Sequence, residues 1–168
     1  MPISLYHASV PIFAHMLGAL SHVLSKAEEN AAARNIEPSV LVNARLAPDM
    51  FPLKAQVRLA SDHAKGAPSR LTRRDIPRYE DNEESFADLQ SRITRTRDYL
   101  ASFSEADFDG AEERPVTIKG RQRELNFTGL EYLQTFALPN FFFHVTTAYD
   151  ILRHNGVPLS KADFLTAR

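Results

Sequence analysis

Residues 137–156 read ALPNFFFHVTTAYDILRHNG, and this stretch indicates the fold more clearly than any other. It carries an apolar stripe that consists of Phe141, Val145, Ala148 and Leu152. Because these positions recur at about 100° per residue, the stretch predicts an amphipathic helix from about Pro139 to Asn155. Proline suits a first helical turn, and Gly156 is a typical left-handed stop after the last turn.

Three earlier segments show the same helical period. They run roughly from Pro11 to Asn35, from Phe51 to Ala64 and from Ser85 to Phe103. We expect Gly66 and Pro68 to end the second helix, because both residues disfavour a helix interior. The basic residues beyond that break would then lie in a solvated linker: Lys65, Arg70, Arg73, Arg74 and Arg78.

The third predicted helix begins with a capping signal, Ser85 followed by Asp88. Its apolar stripe is formed by Phe86, Leu89, Ile93 and Leu100. Arg97 falls on the same stripe, so we expect its aliphatic stem to lie on the buried side of the helix.

The period changes from 3.6 residues to two between Pro115 and Phe127. The alternation on either side of the polar stretch 119–122 predicts a small β-hairpin. Thr128 and Glu131 then form a second capping box before a short helix. We therefore predict an all-α fold, an up-down four-helix bundle with a two-stranded hairpin between the third and fourth long helices, forming a single domain over residues 1–168.

Composition excludes several classes of site and of partner. The net charge of −1 gives no overall field toward nucleic acid or anionic membrane. The absence of cysteine removes disulfides, thiolate nucleophiles and Cys-ligated metals. The chain has no apolar run of about 18 residues and no signal-peptide pattern, so we expect a cytoplasmic protein that does not enter membranes.

Four polar residues flank the predicted core. Gln56 and His63 share a line on the second helix, and Asn140 and His144 lie near the stripe of the fourth. Such residues either form a structural hydrogen-bond network or line a binding site. In a binding site, His144 would be the catalytic acid or base, because imidazole titrates near neutral pH.

The remaining parts of that site follow from the same helical positions. Asn140 and Gln56 would orient a ligand or a water molecule, and Phe141 and Phe142 would line the pocket. We expect His144 to be neutral, because burial lowers the pKa of an imidazole, and to bond to Asn140 or to the second helix. His15 and His22 lie opposite the stripe of the first helix, so we expect both to be solvent-facing.

Two stretches carry a resemblance to a known family. They are RLAPDMFPLKAQVRLASDHAKGAPSRL at 45–71 and LPNFFFHVTTAYDILRHNGVPLSKADFL at 138–165. Both resemble the family of domains of unknown function numbered nineteen ninety-three, which is placed among the DinB/YfiT-like proteins. That resemblance implies a four-helix bundle, and the wider group is regarded as divalent-metal enzymes.

The resemblance also implies a ligand set of three histidines, one on the second helix and an H-x-x-x-H pair on the last. His144 matches the second member of that pair, and Asn140 stands where the first would be. His63 is the nearest match for the remaining ligand. His63 and His144 are therefore the candidate ligands for Zn or Ni, but an amide oxygen replaces imidazole poorly, and we expect no metal cofactor.

Three functions remain open from the sequence. The favoured one is a metal-free pocket around His144 that binds a small molecule or acts as an enzyme. The second is a catalytically silent dimerisation or scaffold module, which would form a homodimer. The third is a DinB-type divalent-metal protein with a degenerate ligand set.

Overall fold

The computed structural model describes residues 3–120 and 123–166, which are mostly helical. The helices are α1 Val10–Ala33, α2 Pro38–Val42, α3 Leu53–Thr72, α4 Phe86–Leu100, α5 Gly129–Tyr132, α6 Leu138–His154 and α7 Lys161–Leu165. A 3₁₀ turn, Glu105–Phe108, follows α4, and a π turn, Leu133–Ala137, joins α5 to α6. No helix in the described ranges has the length and apolarity needed to cross a bilayer.

The four longest helices enclose one core. α3 packs most extensively against α6 and then against α4, and α1 packs against all three. The predicted apolar stripes meet in this core, with fully buried side chains that include Phe13, Leu17, Leu53, Val57, Leu89, Ile93, Phe141 and Val145. Phe13 and Phe141 make an edge-to-face contact with centroids 4.8 Å apart, a geometry worth about 0.5–1.5 kcal/mol beyond burial.

The predicted hairpin is confirmed between α4 and α6. β1, Val116–Lys119, pairs antiparallel with β2, Glu124–Phe127. Two residues of its predicted turn, 121 and 122, lie outside the described residues. The capping boxes at Ser85 and Thr128 are both formed, so local side-chain bonds fix where α4 and α5 begin.

The end of α3 corrects our prediction, because the helix does not stop at Ala64. It continues through Gly66 and Pro68 to Thr72, and Arg73 then adopts the left-handed conformation with φ 59°. A proline inside a helix costs about 3 kcal/mol and a glycine about 1 kcal/mol. Every residue from 64 to 69 is buried, so tertiary packing offsets both penalties. Of the basic residues that we placed in a solvated linker, Lys65 and Arg70 are helical, Lys65 being buried and Arg70 half-buried. The other three lie beyond the helix and are exposed: Arg73, Arg74 and Arg78.

The buried arginine of α4 is Arg92 and not Arg97, which is exposed. The Arg92 side chain is 2% exposed, and its guanidinium donates to Glu83 at 2.8 Å, Asp62 at 2.9 Å and Asp81 at 3.2 Å. Burial alone would raise the pKa of Glu83, but the hydrogen bonds from Arg92 and Arg58 outweigh it and lower that pKa. The buried carboxylate of Glu83 therefore holds the segment before α4 against Arg58 of α3 and Arg92 of α4.

The C-terminal helix α7 packs on α1 and covers the face where we expected two solvated histidines. His22 is half-buried there, and its Nε2 lies 3.2 Å from Asp163 Oδ1. His15 is exposed as predicted, and its Nε2 lies 2.8 Å from the carbonyl oxygen of Leu165. Both histidines therefore hold the tail rather than face water alone.

Candidate functional site

α3 and the α5–α6 segment bring a line of polar and aromatic side chains together, which we call the polar groove. It consists of Gln56, His63 and Arg70 from α3, and of Tyr132, Phe136, Asn140 and His144 from the facing segment. The α3 residues are seven apart, close to two helical turns, so they share one face. Among the described elements, α3 and α6 make the most extensive contact.

The tautomer of His144 is set by Gln56. Gln56 is 1% exposed, and its Nε2 donates to the carbonyl oxygen of Phe51 at 3.0 Å. Its Oε1 is therefore the acceptor that lies 2.8 Å from His144 Nδ1. Because an amide oxygen cannot donate, Nδ1 must carry the hydrogen, and Nε2 of a neutral His144 must carry the lone pair. This confirms the expected bond between His144 and the second long helix.

His63 stacks on His144, with ring centroids 5.6 Å apart and planes 19° from parallel. Burial, with the neighbouring His144 and Arg70, lowers the pKa of His63 to about 4. Burial also lowers the pKa of His144. Both imidazoles are therefore neutral at pH 7, and each can accept a hydrogen bond or a proton.

Asn140 does not bond to His144, although it lies one turn away. Its Nδ2 donates to the carbonyl oxygen of Phe136 at 2.7 Å, within the π turn. Phe136 lies 6.1 Å from His63 and 5.7 Å from Phe127, centroid to centroid. The groove thus has an aromatic wall next to its imidazoles.

The phenylalanines after Asn140 are arranged differently from our expectation. Phe141 is fully buried against Phe13, so it belongs to the core and does not face the groove. Phe142 packs on Phe141. It precedes His144 by two residues, so its side chain points to the opposite side of the helix. The ring next to His144 is Phe143, which is 56% exposed with its centroid 5.4 Å from the imidazole.

Sequence reasoning missed one part of the groove, which is formed by Arg70 and Tyr132. Arg70 Nη1 donates to the hydroxyl of Tyr132 at 3.2 Å. The signal was the seven-residue spacing from Gln56 through His63 to Arg70. It went unused because the predicted helix ended before Arg70.

The implied metal site does not fit this arrangement. No cluster of three or more His, Cys, Asp or Glu that could hold a metal ion occurs within residues 3–120 and 123–166. A metal held by two imidazoles lies near both ring planes, about 2.0–2.1 Å from each nitrogen. At the three positions that the resemblance implies stand two imidazoles, His63 and His144, and the amide of Asn140, and an amide oxygen replaces imidazole poorly on Zn or Ni.

Two cavities lie elsewhere in the described chain. One of about 430 Å³ is lined by residues that include Tyr79, Arg92 and Arg95. The other, of about 510 Å³, is lined by residues that include Tyr6 and Arg97. Neither is lined by a residue of the polar groove, whose two imidazoles are half-buried at its surface.

The low pKa of His63 predicts a loss of stability in mild acid. The folded chain excludes a proton that the unfolded chain binds between about pH 6.5 and pH 4, so the free energy of unfolding falls as pH falls through this window. At about 1.36 kcal/mol per pKa unit this shift corresponds to about 3 kcal/mol, and because the ring is only half-buried we expect a loss of about 2 kcal/mol, measured by urea unfolding at several pH values. His63→Gln should flatten this slope, and an unchanged slope in that variant would contradict the assignment.

Comparison with known proteins agrees with this fold. The sequence model described as Domain of unknown function (DUF1993) matches residues 5–165. Among solved structures, the chain is similar to a DinB family member protein from Shewanella denitrificans, with 41% sequence identity and a TM-score of 0.89. The match covers 98% of this chain and 93% of that one. No curated protein matches the chain.

Proposed function

The chain belongs to the DUF1993 family, and we propose that its polar groove is a metal-free site that binds a small molecule and exchanges a proton with it through His144. One observation carries this proposal. The bond from His144 Nδ1 to Gln56 Oε1 leaves the Nε2 lone pair free in a neutral ring. A positioned neutral imidazole is the commonest general base in enzymes.

The surrounding residues suit such a proton transfer. When Nε2 accepts a proton, the Nδ1 hydrogen stays bonded to Gln56, so the ring keeps its orientation in both states. His63 remains neutral at pH 7 because its pKa is about 4, so it does not oppose the charge that forms on His144. Asn140 uses its Nδ2 on Phe136, which leaves its Oδ1 as an acceptor for the ligand or a water molecule.

The asparagine at position 140, where the resemblance implies a third imidazole, supports a site that works without a bound metal. We also propose that the four long helices run alternately up and down within one domain. The contacts of α1 with α3, α4 and α6 favour a single bundle.

The tautomer of His144 is directly measurable by long-range proton–nitrogen NMR of its ring. We expect the Nδ1–H form, which is the minor one for free imidazole side chains, and a ring that titrates below pH 6.5. Gln56→Met should release this preference, because a thioether accepts hydrogen bonds only weakly. A His144 that titrates at or above 6.5, or keeps the same tautomer in Gln56→Met, would rule out this role for Gln56.

Ligand binding is tested with a set of small amides, alcohols and carboxylic acids. We expect some of them to perturb the ring signals of His63 and His144 saturably, and His144→Asn to abolish this response. His154→Asn is the matched control, because His154 is exposed at the far end of α6. The proposal fails if no compound perturbs these rings. It also fails if stoichiometric zinc or nickel survives dialysis and is lost in His144→Ala.

A further inference from the structure

Arg70 is held in place on two sides. A Cβ atom at Gly66 would overlap Arg70 Nη1 and lie 3.5 Å from its Cζ, so the guanidinium rests on backbone that only glycine leaves bare. Because Gly66 precedes Arg70 by one turn, the side chain is folded back along α3 toward His63. On its other side, Nη1 donates to the hydroxyl of Tyr132 at 3.2 Å.

Tyr132 does not neutralise this cation. It is fully buried, and burial raises the pKa of its phenol, so it stays protonated at pH 7. Within the described residues, no carboxylate lies within 4.0 Å of Arg70, whereas Arg58, Arg74 and Arg92 each have at least one. Arg70 is therefore a half-buried, positioned cation that lacks a protein counter-ion among those residues.

Arg70 lies beside the imidazole of His63 and near an aromatic ring. Arg70 lies two helical turns after His63 on the same face of α3, and its guanidinium reaches back over Gly66 toward that ring. Burial, His144 and Arg70 together lower the pKa of His63. Of the other charged groups that affect His63, Asp62 is committed to Lys65 and Arg92. Phe136 places an apolar ring beside the same imidazole. A planar guanidinium next to an aromatic wall matches a carboxylate on a flat apolar body.

We propose that Arg70 anchors the anionic group, a carboxylate, of the molecule that binds beside His63 and His144, and that Gly66 exists to admit this arginine. This inference rests on the proposed function and narrows its substrate class to small aromatic or flat apolar acids. It assigns Arg70 to binding and leaves the proton transfer to His144. Nη1 is bonded to Tyr132, so the Nε–Nη2 edge of the guanidinium is the one that a carboxylate would occupy.

Benzoate and its neutral isostere benzamide separate charge recognition from shape recognition. We expect benzoate to shift the His63 and His144 ring signals saturably and to raise the pKa of His63, because its negative charge offsets that of Arg70. Benzamide should bind at least about tenfold more weakly, since a hydrogen-bonded charge pair contributes that much or more. Inorganic phosphate, which lacks the apolar body, should also bind more weakly than benzoate.

Two variants test the residues themselves. Arg70→Gln should weaken benzoate binding at least about tenfold and by itself raise the pKa of His63. Gly66→Ala should also weaken it, although the protein should unfold at the same temperature or higher, because only the mobile end of Arg70 must shift and alanine favours a helix. Arg73→Gln, at the exposed end of α3, is the matched control and should bind benzoate normally.

The proposal is overturned if benzoate causes no perturbation, if benzamide binds equally well, or if Arg70→Gln leaves benzoate binding unchanged. Equal binding of both probes at His144 would leave the proposed small-molecule site standing and remove only the role of Arg70. A benzoate response that is lost in Arg70→Gln and retained in His144→Asn would keep the anchor and contradict the contact between His144 and the ligand, on which the proposed function depends.

Discussion

Arg92→Met is expected to lower the free energy of unfolding by about 3–5 kcal/mol, the largest effect of any substitution considered for this chain. The main reason is that the carboxylates of Glu83 and Asp62 would remain without the guanidinium that neutralises them. Glu83, whose side chain is 7% exposed, would lose the 2.8 Å bond from Arg92 and stay buried with a charge held only by Arg58. Asp62 would keep only Lys65 as its partner. Urea unfolding at pH 7 measures the loss.

Arg97→Met is the matched control, because Arg97 lies on the same helix and is exposed. It should change the free energy of unfolding by no more than about 0.5 kcal/mol. Combining Arg92→Met with Glu83→Gln should cost less than the sum of the two single changes, because the second removes the stranded charge. Equal losses for Arg92→Met and Arg97→Met would show that the buried ion network does not stabilise the fold.

Gly129→Ala is expected to destabilise the protein by about 3 kcal/mol, at the upper end of the range for overpacking a core. A Cβ atom at Gly129 would overlap the carbonyl oxygen of Ala111 and lie 3.1 Å from Leu71 Cδ2. Backbone atoms cannot move aside as a flexible side chain can. Leu130 donates its amide to Glu112 at 3.0 Å, so the shift would also break a contact that seats α5. The thermal midpoint should fall by roughly 6–12 °C.

Gly110→Ala provides the comparison, because its φ is 68° and nothing lies within 4 Å of the position of a new Cβ. It should cost only the strain of a left-handed residue, about 1–2 kcal/mol. If Gly129→Ala lowered the free energy of unfolding no more than Gly110→Ala does, the close contact between Ala111 and Gly129 would be contradicted.

The fold class followed from local signals, and those signals are strong where one face of a helix is buried. The apolar stripes of α1, α4 and α6 predicted helices whose ends lie within a few residues of those observed. The change of period at Pro115 located the hairpin. α3 was cut short because its second half is buried all round. Propensity ends a helix at Gly66 and Pro68, and only contacts from distant parts of the chain keep it intact.

Missing information about distant contacts also explains why we predicted Arg97, and not Arg92, as the buried arginine of α4. Helical spacing places Arg97 on the stripe of α4, but it says nothing about the segment between α3 and α4. That segment returns to pair Glu83 with Arg58 and Arg92, so the buried position depends on a contact that no periodicity encodes. The polar groove was predicted only in part. Helical angles alone predicted that Gln56, His63 and His144 lie near one another, whereas Arg70 lies beyond the predicted end of α3 and was therefore missed.

The π turn between α5 and α6 decides which side chains of this segment face α3. In a regular helix, positions four apart advance by about 40° at each step, so Tyr132 and His144 would drift onto different faces. A π turn holds more residues per turn and rotates the later positions back. Its i→i+5 hydrogen bonds enclose one residue more than those of an α-helix. The alignment of Tyr132, Phe136 and His144 toward α3 therefore depends on the number of residues in this turn. Deleting Thr135, which is exposed, should turn His144 away from Gln56.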